Sequence, residues 1–244
     1  MEVFEYVEQG RGGFIVFLHG LFGGPENWAE SIRHLNGEFC ALAPKFPLDG
    51  KRPDFASIEK LTEYVKDFLD HKGIEKASLC GNSLGGQVAI DFCLKYPART
   101  HKLILTGSAG LFEQSLTGGE LPKNTKEFIR EKALEIFYDG RHVTDELIDR
   151  VHTMLLDRST VRFLLKIAKD TRDYNVRSEL TKIKAPTLIV WGANDKITPP
   201  SVAQEFQSLI AGSQLIFLER CGHSPPIERP QQFAELLRDF LEKQ

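Results

Sequence analysis

Residues 76–95 read KASLCGNSLGGQVAIDFCLK, and a five-residue turn inside them restricts what the chain can fold into more than any other stretch. Residues 77–80 form a short apolar run suited to a buried strand, and Val88, Ala89, Phe92 and Cys93 recur at helical spacing just beyond it. Ser83 stands at the junction. Gly81, Asn82, Ser83, Leu84 and Gly85 match G-x-S-x-G, in which a strand turns so sharply into a helix that the serine side chain is thrust out at the strand's carboxyl end. Glycine two before and two after the serine leaves room where strand and helix crowd past a strained backbone. Gly86 extends that clearance. The pentapeptide by itself is a common loop sequence, and its place between a strand-like and a helix-like run is what gives it weight.

A chain of 244 residues suffices for one large α/β domain with an insertion. Its 41% hydrophobic and 27% charged residues suit a soluble globular protein, and no apolar run nears the roughly 18 residues of a spanning helix. The net charge of -3 gives no basic field, so neither nucleic acid nor a membrane is expected as a partner. The opening MEVFEYVEQGRGG is acidic where a secretory signal would be basic and lacks a continuous apolar core, so a cytoplasmic location is expected. Cys40, Cys80, Cys93 and Cys221 have no C-x-x-C spacing and read as free, core-filling thiols. No P-loop, dinucleotide fingerprint or H-E-x-x-H is present, so no cofactor and no metal is expected.

In chain order, residues 3–7 alternate like an exposed strand and residues 14–18 form a continuous apolar run like a central one. The loop His19-Gly20-Leu21-Phe22-Gly23-Gly24-Pro25 lacks the lysine and hydroxyl of a phosphate cradle, but its freed N–H groups can hold an oxyanion. His19 itself reads as a residue that hydrogen-bonds the turn. Residues 39–43 are a further buried strand, ending in a proline-rich loop at 44–53. Ser57 is placed to cap a helix striped by Ile58, Leu61, Val65, Phe68 and Leu69. Strand and helix then alternate through the elbow to residues 102–105, the pattern of a parallel sheet with crossover helices.

From 111 to 181 the strand signal stops, and three helical stripes at 128–137, 147–155 and 161–168 mark an insertion whose apolar positions are mostly assigned to packing. Across 111–182 the 13 Lys/Arg balance the 13 Asp/Glu and leave no net field to select a strongly charged substrate. The sheet resumes at 187–191, followed by Gly192-Ala193-Asn194-Asp195, and a last strand at 215–218 precedes Cys221-Gly222-His223-Ser224-Pro225. Pro230 opens a closing helix striped by Phe233, Leu236, Leu237 and Phe240. Ser83, Asp195 and His223 thus each sit just past the carboxyl end of an expected strand, the edge where open parallel sheets build their sites.

With Ser, Asp and His in that order, the chain resembles the α/β-hydrolase superfamily over nearly its whole length. His19-Gly20, the elbow at 81–85, Gly192-x-x-Asp195 and Gly222-His223 carry the resemblance. It implies an α/β fold with a mostly parallel sheet of about seven to eight strands flanked by helices, the short N-terminus favouring seven. Residues 1–110 and 182–244 would form the core domain and 111–181 a helical cap. It further implies Ser83 as nucleophile, His223 as general base and then acid, and Asp195 orienting the imidazole. The main-chain N–H groups of Leu21 and Leu84 would form the oxyanion hole, with Phe22 as the fallback for Leu21. Phe22, Asn82 and Leu111 would contact substrate. Glu113 and Glu219 are rivals for the acid.

Three features depart from that pattern. Lys45 stands where relatives usually carry an acid, residues 46–50 lack their glycine spacing, and Ser224 follows His223 where carbon–carbon bond hydrolases usually carry tryptophan. Gly81-Asn82-Ser83 and Gly110-Leu111 nevertheless resemble that group. The implied activity is hydrolysis of a carboxylic ester or lactone of a small to medium, fairly apolar small molecule. The alternatives are a carbon–carbon bond hydrolase acting on a vinylogous diketone and a slow-turnover binding protein. Oligomeric state is left open.

Overall fold

The computed structural model describes residues 3–113 and 124–243. The short apolar runs become strands and the periodic runs become helices, alternating from β2 to β5 and again from β6 to β7. In order these are β1 (Tyr6–Gln9), β2 (Phe14–Leu18), α1 (Ala29–His34), β3 (Cys40–Pro44), α2 (Ile58–His71), β4 (Ala77–Asn82), α3 (Leu84–Lys95) and β5 (Thr100–Thr106). The insertion contributes α4 (Lys126–Ile136), α5 (Asp145–Leu156) and α6 (Arg158–Asp173). The core then resumes with β6 (Thr187–Gly192), α7 (Pro200–Leu209), β7 (Gln214–Leu218), α8 (Pro225–Glu228) and α9 (Pro230–Glu242). The expected insertion at 111–181 includes residues 114–123, which lie outside the described residues.

The seven strands form one sheet in the order β1-β3-β2-β4-β5-β6-β7. Every pairing is parallel except β1 with β3, where Tyr6 faces Pro44 and Gln9 faces Ala41. β1 begins later than the expected 3–7, because Phe4 leaves the sheet to pack on α2, with ring centroids 5.1 Å from Tyr64 and 5.5 Å from Phe68. Strand side chains alternate between two apolar layers. Val16, Leu79, Leu105 and Trp191 join α2, α3 and α7 through Phe68, Phe92 and Phe206. Ile15, Phe17, Ile104 and Val190 join α1 and α9 through Trp28 and Phe233 on the other face. All four cysteines are buried and free.

Side-chain caps mark the start of four helices. Ser57 Oγ accepts from Lys60 N–H at the start of α2, and Thr125, Thr144 and Asp157 do the same for α4, α5 and α6. The insertion is tied to the core along α6: Asp170 accepts from the Ile58 N–H at 2.7 Å, and the Gln87 amide donates to Thr171 O at 3.0 Å. The unusual loop at 44–53 joins the same seam. Lys45 pairs with Glu5 at 2.7 Å, and Thr160 Oγ1 donates to Asp49 O at 2.8 Å. Among the described residues no helix is long and apolar enough to cross a membrane.

Candidate active site

The elbow adopts the geometry that its glycines permit. Ser83 has φ 55° and ψ −120°, and a Cβ at Gly81 would lie 2.3 Å from Gly85 O, so only glycine lets β4 and α3 pass this closely. Ser83 is the residue that caps α3, and its hydroxyl makes no hydrogen bond among the described residues. The N–H of Leu84, first in α3, and those of Leu21 and Phe22 in the facing loop are likewise unused by backbone hydrogen bonds among the described residues. Two donors can therefore converge on an oxygen beside Ser83.

His19 holds the facing loop. Its Nε2 accepts from Phe46 N–H at 2.9 Å, which places the ring proton on Nδ1, where it is donated to Gly20 O at 2.8 Å. Burial outweighs the bond to Gly20 and pulls this histidine down to about 4, so it stays neutral. The expectation that His19 serves the turn agrees with this geometry.

β6 and β7 lie side by side in the sheet, and the loops that follow them bring Asp195 to His223. His223 Nδ1 donates to Asp195 Oδ2 at 2.9 Å, leaving Nε2 as the free ring nitrogen. Asp195 Oδ2 also accepts from Thr198 Oγ1 at 2.8 Å, and Oδ1 accepts the N–H groups of Ile197 at 2.8 Å and Thr198 at 3.0 Å. These four donors fix the carboxylate. Burial alone would lower the His223 pKa, but the charge and hydrogen bond of Asp195, with help from Glu113 and Glu228, raise it above the ordinary value.

Ser83 opens onto a cavity with two lobes. The larger, about 380 Å³, is lined mostly by aliphatic side chains of α4, α5 and α6, together with Leu111, Phe22 and Leu84. The smaller, about 310 Å³, holds His223, Ser224, Asn82 and the charged pair Arg150 and Glu26. Ser83, Leu21, Phe22, Glu113, Ile136 and Leu147 line both. Of the expected substrate contacts, Leu111 faces the larger lobe, Phe22 both, and Asn82 the smaller. The two Asn82 amide hydrogens are already donated, to Thr106 O at 2.9 Å and His223 O at 3.0 Å. Among the described residues no cluster of side chains could hold a metal ion.

The rival acids stand elsewhere. Glu219 is exposed beyond β7. Glu113 is among the residues that line both lobes; the protein groups crowding it raise its pKa, and the attraction of His223 partly offsets this. Sequence reasoning gives Thr198 only as a residue that opens the next helix and misses Glu228 altogether. Glu228 is only 4% exposed and accepts three main-chain N–H groups, from Gly222 at 2.9 Å, Ser224 at 3.3 Å and Tyr138 at 2.7 Å. It also treated the stripes of the insertion as packing. Ile129, Ala133, Val151 and Leu155 do pack together, and they also wall the larger lobe.

The profile of the alpha/beta hydrolase family matches residues 15–236. The chain belongs to the α/β hydrolase family. This α/β hydrolase is 32% identical over 250 residues to the 2-hydroxy-6-oxononadienedioate/2-hydroxy-6-oxononatrienedioate hydrolase of Paraburkholderia phymatum, covering 93% of this chain and 86% of that protein. It is 29% identical over 256 residues to the 2-hydroxy-6-oxo-6-phenylhexa-2,4-dienoate hydrolase of Burkholderia cepacia, covering 96% and 89%. Among solved structures, an α/β hydrolase enzyme from the metagenome of lagoon sediments at Mar Chica, Morocco, matches at TM-score 0.80 and 32% identity, over 99% of this chain and 96% of that one. Family and relatives together make the chain a hydrolase.

Proposed function

We propose that this α/β hydrolase is a serine hydrolase that cleaves a carboxylic ester or lactone of a small to medium, fairly apolar substrate through an acyl-enzyme. The observation that carries this reading is the strained Ser83 opening onto a large aliphatic lobe in the same cavity as the Asp195–His223 pair. Residues 1–110 and 182–244 act as the catalytic core, with 111–181 as a cap that walls the acyl site.

Ser83 Oγ attacks the carbonyl carbon while His223 Nε2 takes its proton, and Asp195 stabilises the imidazolium through Nδ1. The carbonyl oxygen, now anionic, accepts from the N–H groups of Leu21 and Leu84. Removing one such donor typically costs about 2.7 to 4 kcal/mol in the barrier. The imidazolium then protonates the leaving alkoxide, and water, deprotonated by the same ring, hydrolyses the acyl-enzyme.

A second reading is a carbon–carbon bond hydrolase, which the names of the relatives at about 30% identity favour. Two features weigh against a dioate in this cavity: Glu113 places a carboxylate beside Ser83, and Arg150 is already paired with Glu26. Ser224 also replaces the aromatic residue expected after the histidine in that group.

The test is turnover of a p-nitrophenyl ester chain-length series beside a ring-cleavage dienoate, with Asp195→Asn, Glu113→Gln and Glu219→Gln as variants. The ester should have the higher kcat/KM, and Asp195→Asn should lose about 10⁴-fold in kcat while remaining folded. Faster turnover of the dienoate would overturn the ester reading. A burst of one equivalent without turnover would favour a binding protein, and a collapse in either glutamate variant alone would displace Asp195.

A further inference from the structure

Placing a general base is a problem of backbone geometry before it is one of the ring. His223 sits in a loop with no secondary structure of its own, between β7 and the single turn of α8. A side chain on such a loop inherits every uncertainty in its peptide planes, and a shift of about 1 Å can cost 100-fold in rate. Something must hold these planes still.

The peptide units on both sides of His223 are held from three directions. The His223 N–H donates to Ile136 O, at the end of α4, at 2.8 Å. Its carbonyl accepts from the Asn82 amide, beside Ser83, at 3.0 Å. The neighbouring N–H groups of Gly222 and Ser224 both donate to Glu228 Oε1, at 2.9 Å and 3.3 Å. The other oxygen of the same carboxylate, Oε2, accepts from Tyr138 N–H at 2.7 Å, two residues after Ile136. A Cβ on Gly222 would lie 2.5 Å from Ile136 O and 2.8 Å from Tyr138 N, so the histidine loop and the end of α4 are in direct backbone contact.

We propose that Glu228 is a positioning residue for the hydrolytic reaction, its carboxylate clamping the His223 loop to the end of α4 so that the base and the cavity wall keep one geometry. The assignment rests on the serine-hydrolase reading above. Ile136 is the link to substrate, because its carbonyl holds the His223 N–H while its side chain lines both lobes of the cavity. The carboxylate is required for a stereochemical reason: three N–H donors from two segments converge on two oxygens, and every bond uses a lone pair. Glutamine has one acceptor oxygen, so its NH₂ must face either Tyr138 N–H or the Gly222 and Ser224 pair. One side of the clamp is lost while the volume is kept. A buried N–H left without a partner then drives local rearrangement of the loop that carries His223.

The test compares Glu228→Gln with Phe233→Leu, a buried apolar change in α9 that lowers stability and removes no hydrogen bond from the loop. Steady-state kinetics on one p-nitrophenyl ester, the rate of Ser83 labelling by a fluorophosphonate, and thermal melts are measured on each. Glu228→Gln should lower kcat and the labelling rate by about 10- to 100-fold with KM within about 3-fold, because the base is displaced and the acyl site is still walled. Phe233→Leu should show parental kcat at temperatures where it is folded. If Glu228→Gln does not accumulate as folded protein, Glu228→Asp, which keeps the charge and shortens the reach, is read in the same way. A kcat within 2-fold of the parent, or a loss no larger than that of Phe233→Leu, would overturn the proposal. Asp195→Asn is run alongside: if it too keeps its rate, the triad reading has failed and not the clamp alone.

Discussion

His223 Nε2 is the atom at which the site's electrostatics can be measured, because Nδ1 already holds a proton against Asp195. In the proposed reaction its ring must be neutral to accept the serine proton, so kcat/KM should fall as pH drops through its pKa. Burial favours the neutral ring, yet Asp195, Glu113 and Glu228 more than compensate, so the acid limb should lie above the 6.5 of an ordinary histidine. A pH profile between 5 and 9 on a neutral ester checks this, and a limb below 6.5 would contradict the electrostatics described. Ser83, Asp195 and His223 were legible in the sequence because each follows a strand signal and carries its own local pattern. Thr198 was less so, since nothing in Thr-Pro-Pro marks a hydroxyl aimed at Asp195. Glu228 was invisible, because its Tyr138 partner lies 90 positions away and only the tertiary fold brings the two together.

At the scale of elements, periodicity located the helices of the insertion. It could not say what their apolar stripes face, since a stripe packed on a neighbour and one lining a cavity have the same spacing. Ala133 is the clearest case, being a small, buried residue of α4 at the wall of the larger lobe. Ala133→Leu should fill part of that lobe. Activity on the longest acyl chain accepted should drop by about 10-fold or more, the usual range for a methylene that no longer fits, while the acetate ester keeps its rate. An unchanged rate on every chain length would remove the larger lobe from the acyl site, whereas a uniform loss across the ester series would mean that the substitution disturbs the fold.

For the molecule as a whole, alternation implied a parallel sheet with crossover helices and the family resemblance about seven to eight strands; the sheet has seven, and β1 is its one antiparallel member. The sheet order was not legible: which strands neighbour each other depends on crossover geometry, of which a single sequence keeps only connection lengths. That order is what sets β4 at the centre and points Ser83 into the cavity. The backbone of Ser83, at φ 55° and ψ −120°, lies where a side chain costs roughly 1 to 3 kcal/mol, whereas glycine there costs only about 0.4 to 1 kcal/mol through the freedom it gives the unfolded chain. Ser83→Gly should therefore shift the urea midpoint upward with an unchanged slope while abolishing turnover, and a lower midpoint would show that the elbow is unstrained. Stability and activity pull this position in opposite directions, so selection for thermal tolerance alone would be expected to lose the serine before it lost the fold.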